Sequence, residues 1–194
     1  MVKTTSPSEL LVKSRIDEAG FYQNITPKSA GWTLLHFKAR TLKRGDTWTE
    51  NTGDMEYAIV LLGGNFSVAS SRGCWKTVHG RTDVFSGLAH ALYLPRNTEF
   101  TLTADSDLLD IACGYCATDQ DHPARLVTPE DVEGMGIEIR GGDNATRQIN
   151  SILPPGSACH RLVCVEVYTP PGNWSSFPAH KHDCLLYTSP SPRD

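Results

Sequence analysis

Apolar residues along this 194-residue chain come in short alternating bursts and seldom at helical spacing. The segments "GWTLLHFKARTL" (31–42), "EYAIVLLGGNFSVAS" (56–70), "HALYLPRNTEFTLTA" (90–104) and "DLLDIACGYC" (107–116) are rich in β-branched and aromatic residues. Gly, Asp, Asn and Pro separate them, so each reads as strand-forming. The best helix candidate is "TPEDVEGM" (128–135). There Thr128 is placed to cap, Pro129 takes the first helical position, and acids fill the first turn. Many short strands at close spacing predict an all-β sandwich or barrel.

The texture changes near residue 140. "RGGDNATRQINSILPPG" (140–156) sets Gly and Pro around a short apolar piece, and the strand-like "LVCVEVYT" (162–169) follows. A second β-unit is therefore expected to begin there, dividing the chain at 1–140 and 141–183.

Composition narrows the class. With 39% hydrophobic and 21% charged residues, 16 Gly and 12 Pro, the chain is globular and turn-rich, not disordered or fibrous. A net charge of −4 without a basic face argues against a nucleic-acid partner held through phosphates. No apolar run approaches the ~20 residues of a membrane span, and the N-terminus lacks the apolar core of a secretion signal. A cytoplasmic protein with no membrane partner is expected. Of the six cysteines, only Cys113 and Cys116 are closely spaced. That pair ends a strand-like run and has no second CxxC, so it reads as small strand residues, with free thiols throughout.

In "GDTWTENTGDMEYAIVLLGG" (45–64), Gly45, Glu56 and Gly63 have the spacing of the first cupin motif, which runs Gly, HxH, Glu, Gly. Asn51 and Gly53 stand at the histidine positions. "LYLPRNTEF" (92–100) resembles the second motif, with Pro95 matched and Phe100 about where a metal-binding His falls. The first unit is expected to be a cupin barrel without metal ligands. His36, His79, His90 and His122 read as surface or satisfied core residues.

The second unit carries the sharper signal. "PPGNWSSFPAHKHD" (170–183) places His180 and His182 two apart. On an extended strand they share a face, ~6.5 Å apart, and both can reach one ion at ~2.0–2.1 Å. The alternative is a chance HxH in a solvated loop.

The run Glu166, Val167, Tyr168, Thr169, Pro170, Gly172, Asn173, Trp174, Ser175, Ser176, Pro178 and His180 to Asp183 closely resembles the family of 5-deoxy-glucuronate isomerase. This is a bicupin family of inositol catabolism, related to the pectin-pathway uronate ketol-isomerase. "RGGDNATRQINSILP" also resembles that family's linker into its second cupin. The resemblance implies an all-β bicupin, here with the first cupin complete and the second truncated. It implies an aldose–ketose isomerase that converts 5-deoxy-glucuronate to 5-dehydro-2-deoxy-gluconate. It also implies a divalent metal ion, Zn, Mn or Fe, held by His180 and His182. In the family a glutamate and a third histidine follow, and "CLLYTSPSPRD" (184–194) supplies neither. Its Ser-Pro-Ser-Pro run does not suit a central strand, and its codons resemble a transposon-type sequencing adapter read through in frame. Residues 184–194 are therefore expected to be non-native, and the fragment inactive.

A sugar-acid substrate favours a guanidinium fork, which makes Arg140 and Arg147 candidate substrate-binding residues; the alternative is two surface charges on a linker. The catalytic base stays unassigned, and a homo-oligomer stays open. HxH alone does not choose a chemistry. A non-catalytic sugar-acid-binding cupin and another metal-dependent cupin enzyme, such as a dioxygenase, remain the alternatives.

Overall fold

A computed structural model of the chain describes residues 12–176. Within them the strands are β1 (Phe21–Ile25), β2 (His36–Lys43), β3 (Thr47–Asn51), β4 (Met55–Gly63), β5 (Asn65–Ser70), β6 (Gly73–His79), β7 (Ala91–Leu94), β8 (Glu99–Ala104), β9 (Leu108–Ala117), β10 (Arg125–Val127), β11 (Glu138–Arg140), β12 (Arg147–Leu153) and β13 (Cys164–Tyr168). Two short α-helices join them, α1 (Pro27–Ala30) and α2 (Pro129–Gly134), with a single 3-10 turn at Asp143–Ala145.

Two antiparallel sheets face one another as the β-sandwich of a cupin. One has six strands in the order β1-β2-β9-β4-β7-β10, the other four in the order β3-β8-β5-β6. Between them lies a core that includes Trp48, Tyr57, Ile59, Leu61, Phe66, Leu102 and Ile111. Strand alternation sends Tyr57, Ile59 and Leu61 of β4 into this core. The residues between them face the other way, and Ala58 joins a second cluster with Tyr93, Cys116, Val127, Ile152 and Leu153. The centre of the six-stranded sheet is thus covered on both sides, which is why β4 reads as a nearly continuous apolar run.

The predicted run 56–70 is two strands, broken at Gly64. That residue has φ +100°, and a Cβ there would collide with the Leu108 carbonyl, so only glycine makes this turn comfortably. The 90–104 run likewise divides around Pro95, which cannot donate to a ladder. The 31–42 run becomes strand only from His36 onward. The expected helix forms as α2. Thr128 Oγ1 accepts from the Asp131 N–H at 3.3 Å, and Asp131 Oδ2 accepts from the Thr128 N–H at 2.9 Å, a reciprocal cap. Val132 seats this helix in the second cluster.

Cys113 and Cys116 fall on opposite faces of β9, one in each cluster, so they have no common ion to bind. Burial pushes both thiols up, Cys116 to about 12. The five described cysteines are free.

The third sheet, β11-β12-β13, lies over the outer face of the six-stranded one. Ile152, Leu153 and Leu162 anchor it in the second cluster. Among the described residues no helix is long and apolar enough to cross a membrane.

Candidate functional site

Register fixes what each face of the third sheet carries. Arg140 of β11 lies opposite Arg147 of β12, and Glu138 opposite Ile149. Ile149 pairs with Val167 of β13, and Ser151 with Val165. Cross-strand partners share a face, so Arg140, Arg147, Ile149, Val165 and Val167 lie on one side. Val165 and Val167 are 46% and 40% exposed. The two candidate substrate-binding arginines are therefore brought together on an open, partly apolar face. Arg140 Nε donates to Glu138 Oε1 at 2.6 Å, and Arg147 Nη1 donates to the Ala145 carbonyl at 3.2 Å.

The opposite side turns toward the first barrel and is fastened to it. Arg81, in the loop after β6, has a side chain only 2% exposed. Its guanidinium grips Glu166 of β13 at two points, Nη1 to Oε2 at 2.9 Å and Nη2 to Oε1 at 2.5 Å. Arg81 Nη1 and the Tyr168 hydroxyl both donate to the Gly87 carbonyl, at 2.9 and 2.7 Å. Burial and the Glu166 carboxylate raise the Tyr168 phenol, which keeps it a donor. A cavity of about 700 Å³ opens beside this clamp, lined by Val84, Phe85, Ile139, Gln148 and Tyr168 among others.

A second fastening comes from Glu56. Its place in the sequence is that of the cupin-motif glutamate, yet its side chain points away from the barrel interior and is fully buried beneath the chain leading into β13. It accepts from three successive backbone N–H groups, His160 at 2.9 Å, Arg161 at 2.6 Å and Leu162 at 3.0 Å. The Tyr93 hydroxyl adds a fourth donor at 2.9 Å. Burial alone would push this carboxyl up. The His160 and Arg161 amides, the Tyr93 hydroxyl and the Leu162 amide outweigh it and hold the group below the usual glutamate range.

The turn after β13 is pinned beside the arginine hairpin. Asn173 Oδ1 accepts from the Thr146 N–H at 3.1 Å, and the Trp174 N–H donates to the Asn144 carbonyl at 2.7 Å. The "GNWSS" segment is thus held against the β11–β12 connection.

His180 and His182, with Asp183 and residues 184–194, lie outside the described residues. Their donor chemistry, two imidazoles, suits Zn or Fe and accepts Mn less readily. Among the described residues no group of three or more His, Cys, Asp or Glu could hold an ion. In the first barrel, Asn51 is spent on its own turn, accepting from the Gly53 N–H at 2.8 Å. Phe100 packs edge-on against Trp48 with ring centroids 5.0 Å apart. Arg81 and the interior pair Lys38–Glu50 escaped sequence reading, because their partners lie in other strands and leave no local signal.

The chain is similar to known proteins in sequence and in fold. A sequence profile described as the KduI/IolB family matches residues 10–187. The chain is 36% identical over 178 residues to the 5-deoxy-glucuronate isomerase of Geobacillus kaustophilus, covering 91% of this chain and 63% of that protein. Against the enzyme of the same name from Geobacillus thermodenitrificans it is 38% identical over 168 residues, covering 86% and 60%. The chain therefore spans about six tenths of the length of these curated relatives. The crystal structure of an IolB-like protein from Salmonella typhimurium LT2 superposes with a TM-score of 0.77 at 34% identity, covering 84% of this chain and 60% of that one. Matched in profile over nearly its whole length and in fold by that structure, the chain belongs to the KduI/IolB family.

Proposed function

We propose that the protein is an aldose–ketose isomerase that converts 5-deoxy-glucuronate to 5-dehydro-2-deoxy-gluconate in inositol catabolism. The observation that carries this reading is the identity of 36% and 38% to two enzymes of that name over most of this chain. The reaction moves a proton from C2 to C1 while a carbonyl and a hydroxyl exchange places, so it needs a base and a means of steadying negative charge on oxygen. His180 and His182 would hold a divalent ion, Zn, Mn or Fe, which when bound supplies Lewis acidity toward the substrate oxygens.

Arg140 and Arg147 suit the substrate carboxylate. Opposite each other in adjacent strands, they present two cationic forks on one face, the geometry that planar anions favour. Glu138 already engages Arg140, so Arg147 is the stronger candidate. The same proposal takes residues 1–140 as a barrel without metal ligands, 141–183 as the start of a metal-binding cupin, and 184–194 as non-native. It places the enzyme in the cytoplasm, with a sugar acid as its ligand, no nucleic-acid or membrane partner, and assembly into a homo-oligomer left to measurement.

In a protein of the relatives' full length, Arg147→Ala is expected to raise KM for 5-deoxy-glucuronate about 10- to 100-fold and leave kcat within about threefold. That is the loss of a charge-assisted contact made equally in ground and transition states. Steady-state kinetics with an oxygen electrode in the cell check it. Oxygen uptake would replace the isomerase reading with a dioxygenase, and binding without turnover would replace it with a sugar-acid sensor.

A further inference from the structure

The interior of the first barrel holds a charged group of a type that is almost always left in solvent. Along β2, His36, Lys38, Arg40 and Leu42 pair with Tyr115, Cys113, Ile111 and Leu109 of β9. Those β9 residues all belong to the core between the sheets. Lys38 is therefore an inward residue, only 5% exposed.

Its ammonium sits among four aromatic rings. The distances to the ring centroids are 4.5 Å for Tyr115, 4.7 Å for Tyr57, 4.9 Å for Trp48 and 5.5 Å for Phe21. Each distance lies within the range of cation–π attraction. Three of the rings come from the six-stranded sheet and Trp48 from the four-stranded one. Also from the four-stranded sheet, Glu50 of β3 meets the ammonium with both oxygens, at 2.7 and 2.8 Å.

The carboxylate is itself held in place. Tyr57 donates its hydroxyl to Glu50 Oε1 at 2.6 Å, and Trp48 Nε1 donates to Oε2 at 2.7 Å. Two cage walls thus also orient the anion. Phe100, at the position where the cupin motif carries a histidine, backs those same walls, 5.0 Å from Trp48 and 6.2 Å from Tyr57. The contrast with Arg40 is instructive. That side chain lies over Phe21 alone, at 4.8 Å, and its buried Nε finds no protein partner. The cage is built around one position, and Lys38 fills it.

We infer that the first barrel is a binding site for a primary ammonium, an aromatic cage closed by Glu50, and that the Lys38 side chain is its resident ligand and ties the two sheets together. The positive charge at the barrel centre comes from the chain itself.

The test uses the full chain and its thermal unfolding. Lys38→Ala removes three methylenes and the ammonium, the size of n-propylammonium. Millimolar n-propylammonium is expected to raise the Tm of Lys38→Ala by about 2–5 °C. n-Propanol at the same concentration should not raise it, and neither compound should move the parent, whose cage is full. Adding Glu50→Gln to Lys38→Ala should abolish the amine response. Lys38→Met, which keeps the side chain out to the Cε position and drops only the ammonium, should lower Tm by about 5–10 °C because Glu50 loses its partner. Equal stabilisation by propanol, no response to the amine, or a Lys38→Met chain that melts with the parent would overturn the inference. If Lys38→Ala does not fold, the cycle of Lys38→Met with Glu50→Gln decides. A double variant more stable than the summed losses supports the site, and additive losses overturn it.

Discussion

Glu56→Ala is expected to lower the unfolding free energy by about 3–5 kcal/mol, the range for removing the buried charged partner of a hydrogen-bonded cluster. The side chain is fully buried, and its loss leaves the amides of His160, Arg161 and Leu162 and the Tyr93 hydroxyl without their acceptor. Glu56→Gln retains one acceptor oxygen but sets an amide N–H₂ against other donors, and should recover less than half of the loss. Urea unfolding followed by tryptophan fluorescence measures both. Hydrogen exchange adds location, with protection at 160–162 falling first.

The same group gives stability a pH dependence of known sign. The folded state holds the Glu56 carboxyl below its usual value, so the unfolded chain binds the proton more readily. Its contribution is complete above the ordinary glutamate value of ~4.3 and is lost as pH falls through the lower folded value. The parent should therefore lose stability on acidification more steeply than Glu56→Gln. Parallel acid limbs would mean that the carboxylate is not what these amides bind.

The second large effect is expected at Arg81. Arg81→Met should cost about 3–4 kcal/mol, because it leaves the part-buried Glu166 carboxylate without its cationic partner. Arg81→Lys should recover part of this, having charge but no two-point fork. Pairing Arg81→Met with Glu166→Gln should bring back a sizeable share, since the dominant penalty is an uncompensated charge and not a lost contact. The expected signature is local. Exchange at Cys164–Tyr168 should accelerate more than in the sheets of the first barrel, because the clamp joins β13 to the loop after β6. Uniform acceleration would instead make Arg81 an ordinary core residue.

These two fastenings explain which parts of the molecule could be read from sequence. The β-class and most strand positions were legible because period-two alternation and turn residues act locally. The cap of α2 was equally plain, since Thr128, Pro129 and Asp131 carry their chemistry within one turn. Arg140 and Arg147 stood out in the sequence only because their segment leads toward the His180–His182 pair; the register that puts them on one face is a property of the sheet. The orientation of Glu56 was hidden because β4 is covered on both sides, so its apolar run does not say which face is the barrel interior. Lys38 was hidden for the opposite reason. Lysine usually marks a solvent face, and here the cage outweighs that tendency with four rings and a carboxylate that approach from other strands. The Arg81–Glu166 clamp spans 85 residues, a separation across which a single sequence carries no pairing signal.

A structural role for the first barrel follows. Through Glu56 and Arg81 it fixes both ends of the segment 160–168, and through Asn173 the turn beyond it is held to the arginine hairpin. The barrel thereby serves as a rigid support for the face on which Arg140 and Arg147 lie, as the proposed contact with a substrate carboxylate requires.

The most direct test of the proposed chemistry is proton NMR of 5-deoxy-glucuronate incubated with the protein at the full length of its relatives. The expected result is loss of the C2 and aldehyde signals, appearance of 5-dehydro-2-deoxy-gluconate with no consumption of oxygen, and incorporation of solvent deuterium at C1 when a base exchanges its proton during transfer. An unchanged spectrum from a folded, metal-supplied enzyme, or any product that requires oxygen, would contradict it.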